Sequence, residues 1–202
     1  MLRLLAACGI VAALALGACG GREPASSEAN PSAAPAPPAT AVATVDEELE
    51  RLKAVTPVDA CAWLTPEKLK SVLPDVEFEL GQRLEPRISG YVWDSRCTYR
   101  AGLGTIEFAK EQPTHMVEIF VATAASAASA EERLAAQRES AAATAEFTPQ
   151  PALGANAYTA IGMGGVMLHF VRDQIEVQIR YYELGSPSAE KTRILLALAA
   201  LL

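Results

Sequence analysis

Any chemistry performed by this chain must draw on few side chains. The sequence holds two histidines, His115 and His169, and each lies in a stretch that alternates like a β-strand. His169 sits between Leu168 and Phe170 on the opposite face from both, which suits a surface or helix-facing residue better than a general base. Neither histidine belongs to a readable triad, and no G-x-S-x-G elbow is present. Ser188-Ala189-Glu190-Lys191 has the spacing of the S-x-x-K nucleophile motif. Its companions S-D-N and K-T-G are missing and Ser188 falls in the capping turn of a helix, so the match reads as coincidence. Gly162-Met163-Gly164-Gly165 lacks the Lys-Ser/Thr that completes a phosphate loop and reads as a hairpin connection. Asp94 and Glu107 could act as a carboxylate pair, yet nothing in their spacing brings them together. Asp46-Glu47-Glu48 reads as the solvated first turn of a helix, where the dipole favours acids, before it reads as a metal site. Arg96, Arg100, Arg172 and Arg180 would form an anion site only if the strand order put them on one sheet face. No cofactor-binding motif emerges.

Four cysteines remain to be placed. Arg3 and the apolar run at residues 4–16 have the form of a signal peptide, too short to span a bilayer comfortably. The run ends in Leu16-Gly17-Ala18-Cys19, which resembles the lipobox of bacterial lipoproteins. That resemblance implies cleavage before Cys19, a diacylglycerol thioether on its sulfur and an acyl chain on its new amino group, more than enough for stable anchoring. The competing readings are an ordinary secretory signal with an incidental cysteine, or a short membrane anchor; a cysteine set directly after Leu-x-Ala disfavours both. Cys8 would leave with the signal. Gly20 stands where inner-membrane lipoproteins of enteric bacteria usually carry Asp, which implies the outer membrane, facing the periplasm, in a Gram-negative host. Cys61 and Cys97 are then left together in an oxidising compartment and are expected to form a disulfide. A zinc site is the alternative, but no C-x-x-C or H-x-x-x-H spacing supports one. No metal ligand set is expected.

The formal charge is −7, and no cluster of Lys and Arg stands out. Nucleic acid is therefore excluded as a natural partner, and an anionic lipid surface would not attract the domain.

The elements that must position these groups divide the chain into three parts: residues 1–18, the signal peptide; residues 19–44, a lipid-anchored tether rich in Pro and Ala; and residues 45–202, a globular domain. The tether has nothing to bury and reads as disordered with polyproline character, with a reach on the order of 80 Å when extended. Thr44 and Glu47 form a capping box for a first helix with Val45, Leu49, Leu52 and Val55 on one face. Thr65 as N-cap and Pro66 at the first helical position start a second, with Leu64 able to staple against Leu69. Residues 76–80 alternate as a half-buried strand. Strand material follows at 90–100, 105–108 and 115–122, with Cys97 and Tyr99 on one face, so that a disulfide would pin the start of the second helix to the sheet. An Ala-rich helix follows between Ser126 and Thr144, with Ser129 as cap and Glu132 in the capping-box position. After Pro149 and Pro151, residues 166–171 and 175–181 make the clearest hairpin. A last helix, capped at Ser186-Pro187, carries Ile194, Leu195, Leu198, Leu201 and Leu202. This order argues for an α+β domain with a single antiparallel sheet packed by helices.

The lipobox and Pro-rich tether, Asp59-x-Cys61-x-x-Leu64-Thr65-Pro66-Glu67, Cys97-Thr98-Tyr99 and Leu153-Gly154-x-x-Ala157 together resemble a broad group of bacterial lipoproteins that includes the mycobacterial LpqN type. The resemblance covers most of residues 58–202 and implies a PsbP-like α/β/α sandwich in the cell envelope; it brings no catalytic residues. Ala155 stands where many relatives carry an acid, which weakens any ligand role for that turn. The expectation is a non-catalytic binding or accessory module for an envelope protein or an apolar ligand. Trp63, Tyr91, Trp93, Tyr158 and Met163 are its candidate contacts. The alternative is an unrecognised envelope hydrolase, which a deep polar pocket with a histidine beside a carboxylate would favour.

Overall fold

The computed structural model describes residues 44–102, 113–144, 146–162 and 165–202. Helices α1 (Val45–Lys53), α2 (Ala60–Trp63) and α3 (Pro66–Val72) come first, then strands β1 (Glu79–Ser89), β2 (Val92–Ala101) and β3 (His115–Ala124). Helix α4 (Ala127–Thr144) leads into β4 (Glu146–Pro149), a 3-10 turn at Pro151–Leu153, β5 (Tyr158–Gly162), β6 (Gly165–Arg172), β7 (Ile175–Glu183) and helix α5 (Ser188–Ala199). The seven strands form one sheet in the order β1-β2-β3-β7-β6-β5-β4, and every neighbouring pair is antiparallel. The expected α+β architecture is therefore present. Among the described residues no helix is long and apolar enough to cross a membrane. The signal peptide, Cys19 and all of the tether before Thr44, together with the expected strand at 105–108, Glu107 and Met163, lie outside the described residues.

Strand alternation sorts the sheet into two faces. Cys97, Tyr99, Val117, Ile119, Val121, Leu168, Phe170, Val177, Ile179 and Tyr181 share the main core with Leu64 and Leu69 of the first helical layer and Ile194, Leu195 and Leu198 of α5. On the other face α4 packs Ala130 against Val92, Ala122 and Ala124, and Leu134 against Tyr158 and Ala160. Helices thus cover both faces, but very unequally.

The segment at residues 60–64 is tied to β2 at three alternate residues. Ala60 N donates to Ser95 Oγ at 2.7 Å, Cys61 is disulfide-bonded to Cys97, and Tyr99 OH donates to the Leu64 carbonyl at 2.6 Å. Asp59 caps α2 through Cys61 N at 2.9 Å and pairs with Arg83 of β1, which lies opposite Cys97 in the ladder. The conspicuous Asp-x-Cys and Cys-Thr-Tyr motifs are therefore fastenings. The capping box of α1 forms as expected, with Thr44 N donating to Glu47 Oε2 at 3.0 Å and Glu47 N donating back to Thr44 Oγ1 at 3.4 Å.

Four local expectations are corrected. The alternating residues 76–80 are mostly not strand: β1 starts at Glu79 and runs ten residues further. Among the described residues it is an edge strand, paired only with β2 and interrupted by register shifts after Leu80 and Leu84, so its side chains need no buried alternation and Leu80 is left 57% exposed. Such irregularity, with Pro86 in the strand, protects an edge from further pairing. Ser126, not Ser129, holds the start of α4, accepting from Ser129 N at 3.1 Å. Ser129 instead lies within the helix and reaches Glu48 of α1. In α5 the N-cap is Pro187 with no side-chain cap, so Ser186 does not perform that task. That helix ends at Ala199, leaving Leu201 39% exposed and outside the core face. The short strand β4 had no sequence signal of its own; it forms because Phe147 and Thr148 find β5.

Candidate functional site

The strand order answers the question posed by the four arginines. Arg96 lies opposite Phe120, Arg100 opposite Met116 and Arg180 opposite Glu118, placing all three on the α4 side of the sheet. Arg172 lies opposite Ile175, which faces the main core, so it is separated from the rest. Asp94, the described half of the suggested carboxylate pair, is instead bound to Arg87 of β1 at 3.2 Å.

Two depressions hold the histidines. The first is a polar cleft of about 180 Å³ between the end of α3, the ends of β3 and β7, and α5, with His115, Glu183, Glu190 and Arg193 in its wall. His115 Nε2 lies 3.5 Å from Glu183 Oε1, and Glu183 Oε2 accepts from Tyr181 OH at 3.1 Å. Burial, then the charge of Glu183, raises the Tyr181 pKa and keeps the phenol protonated. On its other side, His115 Nδ1 is 3.1 Å from Thr114 Oγ1. That hydroxyl donates to the Ala101 carbonyl at 3.0 Å. Its proton being spent there, the imidazole donates from Nδ1 in the Thr114 contact, which fixes the ring and leaves Nε2, the nitrogen facing Glu183, as its accepting position. Gly102, at φ 63°, leaves room for this arrangement, since a Cβ there would collide with Thr114 Oγ1. The histidine–carboxylate pair is thus part of a fastening between β3, β7 and the β2 end.

The second depression is a groove of about 290 Å³ on the other face, with a chiefly apolar lining. One wall is α4, through Gln137, Ser140 and Ala141; the floor is Tyr158 and Ala160 of β5 with Met167 and His169 of β6. Helix α4 is held in register by buried Glu176 of β7, which accepts from Gln137 Nε2 at 2.6 Å and from Arg133 Nε at 3.4 Å. Tyr158 and His169 stack with ring centroids 4.6 Å apart, and Phe147 packs on Tyr158 from the far side at 5.1 Å. Burial, reinforced by Arg180, pushes the His169 pKa down to about 4, so the ring is neutral at pH 7. Burial and then Glu176 push the Tyr158 pKa up to about 12. The floor is therefore uncharged and aromatic, suited to contact and not to proton transfer.

Of the aromatic contacts expected from sequence, Tyr158 alone lines this groove. Trp63 packs on the main core, Trp93 donates to the Leu52 carbonyl at 3.0 Å, and Tyr91 is 46% exposed beside the β1–β2 turn. Gln137, Ser140, Ala141, Ala160 and Met167 were not singled out by sequence. Their types are ordinary, and only the return of the chain from α4 through β4 brings them together. The expected helix-facing role of His169 is observed. Among the described residues no group of three or more His, Cys, Asp and Glu side chains could hold a metal ion.

No protein-family model and no curated protein matches the chain. Among solved structures, the extracellular domain of PknH from Mycobacterium tuberculosis is similar at a TM-score of 0.46 and 10% identity, covering 75% of this chain and 94% of that one. A likeness so distant carries no argument about function.

Proposed function

We propose that this chain is a lipid-anchored protein of the bacterial envelope, held to the outer membrane through Cys19, whose periplasmic α+β domain is a non-catalytic binding module for an apolar molecule. The groove between α4 and β5–β6 carries this reading: it is the larger of the two histidine-bearing depressions, at about 290 against 180 Å³, and its volume approaches the lower end of ligand-sized pockets. An uncharged Tyr158–His169 stack over Ala160 and Met167 offers an apolar ligand contact area without a charged group to desolvate. The lipobox supports the location.

Titrating the purified chain with octan-1-ol while recording ¹H–¹⁵N amide shifts tests the groove. Shifts are expected to concentrate at residues 137–141, 158–160 and 167–169, and Ala141→Trp, which fills the groove from the exposed side of α4, should abolish them without lowering the melting temperature by more than a few degrees. Shifts scattered over the surface, or unchanged in the tryptophan variant, would sink the proposal.

A further inference from the structure

Beside the apolar groove stands a cation with no anion among the described residues. Arg180 of β7 lies directly across from Met167 of β6, and its Nη2 touches Met167 Sδ at 3.5 Å. Gln178 Nε2 approaches the same sulfur at 3.7 Å. A thioether is a weak acceptor for a guanidinium. Among the described residues Arg180 Nε is buried and has no hydrogen-bond partner, and the same holds for Arg96 Nε and for Thr98 Oγ1 on the same face. Glu118 is the cross-strand neighbour of both Thr98 and Arg180, yet among the described residues no ion pair joins it to Arg180. Arg96 lies over Phe120, with the guanidinium 5.8 Å from the ring centroid. In a chain of net charge −7, half-buried arginines left without carboxylates are the exception that needs a reason. Buried donors ordinarily find partners, and guanidinium groups prefer carboxylate or phosphate oxygens.

From this we infer that the ligand of the groove is an anionic amphiphile. Its apolar part lies against Tyr158 and Ala160, and its carboxylate or phosphate oxygens displace Met167 Sδ from Arg180. Met167 joins the two halves, since it lines the groove and its sulfur marks the place of the head group. Arg96 and Arg100, on the same face, add positive field beyond Arg180. His169 is well placed to remain neutral beside such a head group, because burial and the nearby Arg180 both oppose its protonation. The inference rests on the proposed binding role of the groove and adds the class of ligand.

The test compares octanoate, octan-1-ol and inorganic phosphate on the same chain by amide shifts at pH 7. Octanoate should bind at least fivefold more tightly than octan-1-ol, with its advantage shrinking as NaCl is raised, and phosphate alone should bind far more weakly than octanoate. Arg180→Gln should remove the octanoate advantage and leave octan-1-ol unchanged; Arg180→Lys should keep part of it, which controls for a glutamine variant that folds poorly. Equal binding of octanoate and octan-1-ol in the wild type would overturn the anionic head group while leaving the apolar groove standing. Failure of both would remove both readings. Phosphate binding as tightly as octanoate would replace the amphiphile with a free-anion site.

Discussion

His169 sits in surroundings far from those of a free imidazole. It is 7% exposed, and Tyr158 covers one face of its ring. Its folded pKa of about 4 lies below the 6.5 of a free imidazole, so the unfolded chain takes up a proton at a pH where the folded chain does not. The native state therefore has the full benefit of this neutral ring above pH 6.5 and loses it as the pH falls from there toward 4. Between pH 7 and 5 the loss should be about 2 kcal/mol. Urea unfolding of the wild type and of His169→Gln at the two pH values isolates the contribution, because carboxylate titration is common to both. The glutamine variant should show the smaller decline; parallel declines would refute the assignment. The orientation of His169 was legible in the sequence, because Leu168 and Phe170 flank it in an alternating strand. Its stacking partner was not, since Tyr158 reaches it only through the β5–β6 ladder.

At the scale of elements, β2 is where the first helical layer is fixed. Ser95, Cys97 and Tyr99 present three successive side chains on one face, and each takes a different kind of hold on residues 60–64. The disulfide bridges a sequence separation of 36, and removing it should destabilise the domain by about 3–4 kcal/mol in the loop-entropy account. Cys61→Ser should therefore melt roughly 10 °C below the oxidised wild type, and an unchanged melting temperature would contradict it. Tyr99→Phe should cost about 1 kcal/mol, because it strands the Leu64 carbonyl in a buried place; a chemical denaturation midpoint would read this directly, and no change would mean that water replaces the phenol. Of these fastenings the disulfide was readable, because the cysteines pair by elimination, whereas the Ser95 and Tyr99 hydrogen bonds were not, since they exist only once β2 lies under residues 60–64. Nor were the edges. β1 has little apolar pattern to follow, β4 is four residues long, and both exist because a neighbour supplies hydrogen bonds, which is a property of the sheet and not of the segment.

For the molecule as a whole, the unequal covering of the two sheet faces sets where it opens. Helix α5 buries Ile194, Leu195 and Leu198, whereas α4 buries Leu134 and the small Ala130. Two fewer large side chains amount to about 3 kcal/mol or more of apolar burial, so α4 should open locally well below the global unfolding free energy. Native-state hydrogen exchange should accordingly find the amides of Leu134–Ser140 about a hundredfold less protected than those of Ile194–Leu198; equal protection would mean that the Gln137–Glu176 and Arg133–Glu176 bonds supply what the alanines lack. The weakly held helix is also the wall of the groove, so an element that should open more readily than α5 is the one a ligand must pass or displace. A ligand seated against Ala141 and Gln137 binds the closed helix and not the open one, so by mass action it raises the free energy of every opening that breaks the groove, the local opening of α4 and global unfolding alike. Saturating octan-1-ol should thus slow exchange in α4 by the same factor as in the α5 amides that exchange through global unfolding. Slowing of α5 without slowing of α4 would show that the ligand stays bound while α4 opens, and α4 would then not be a wall that the ligand needs.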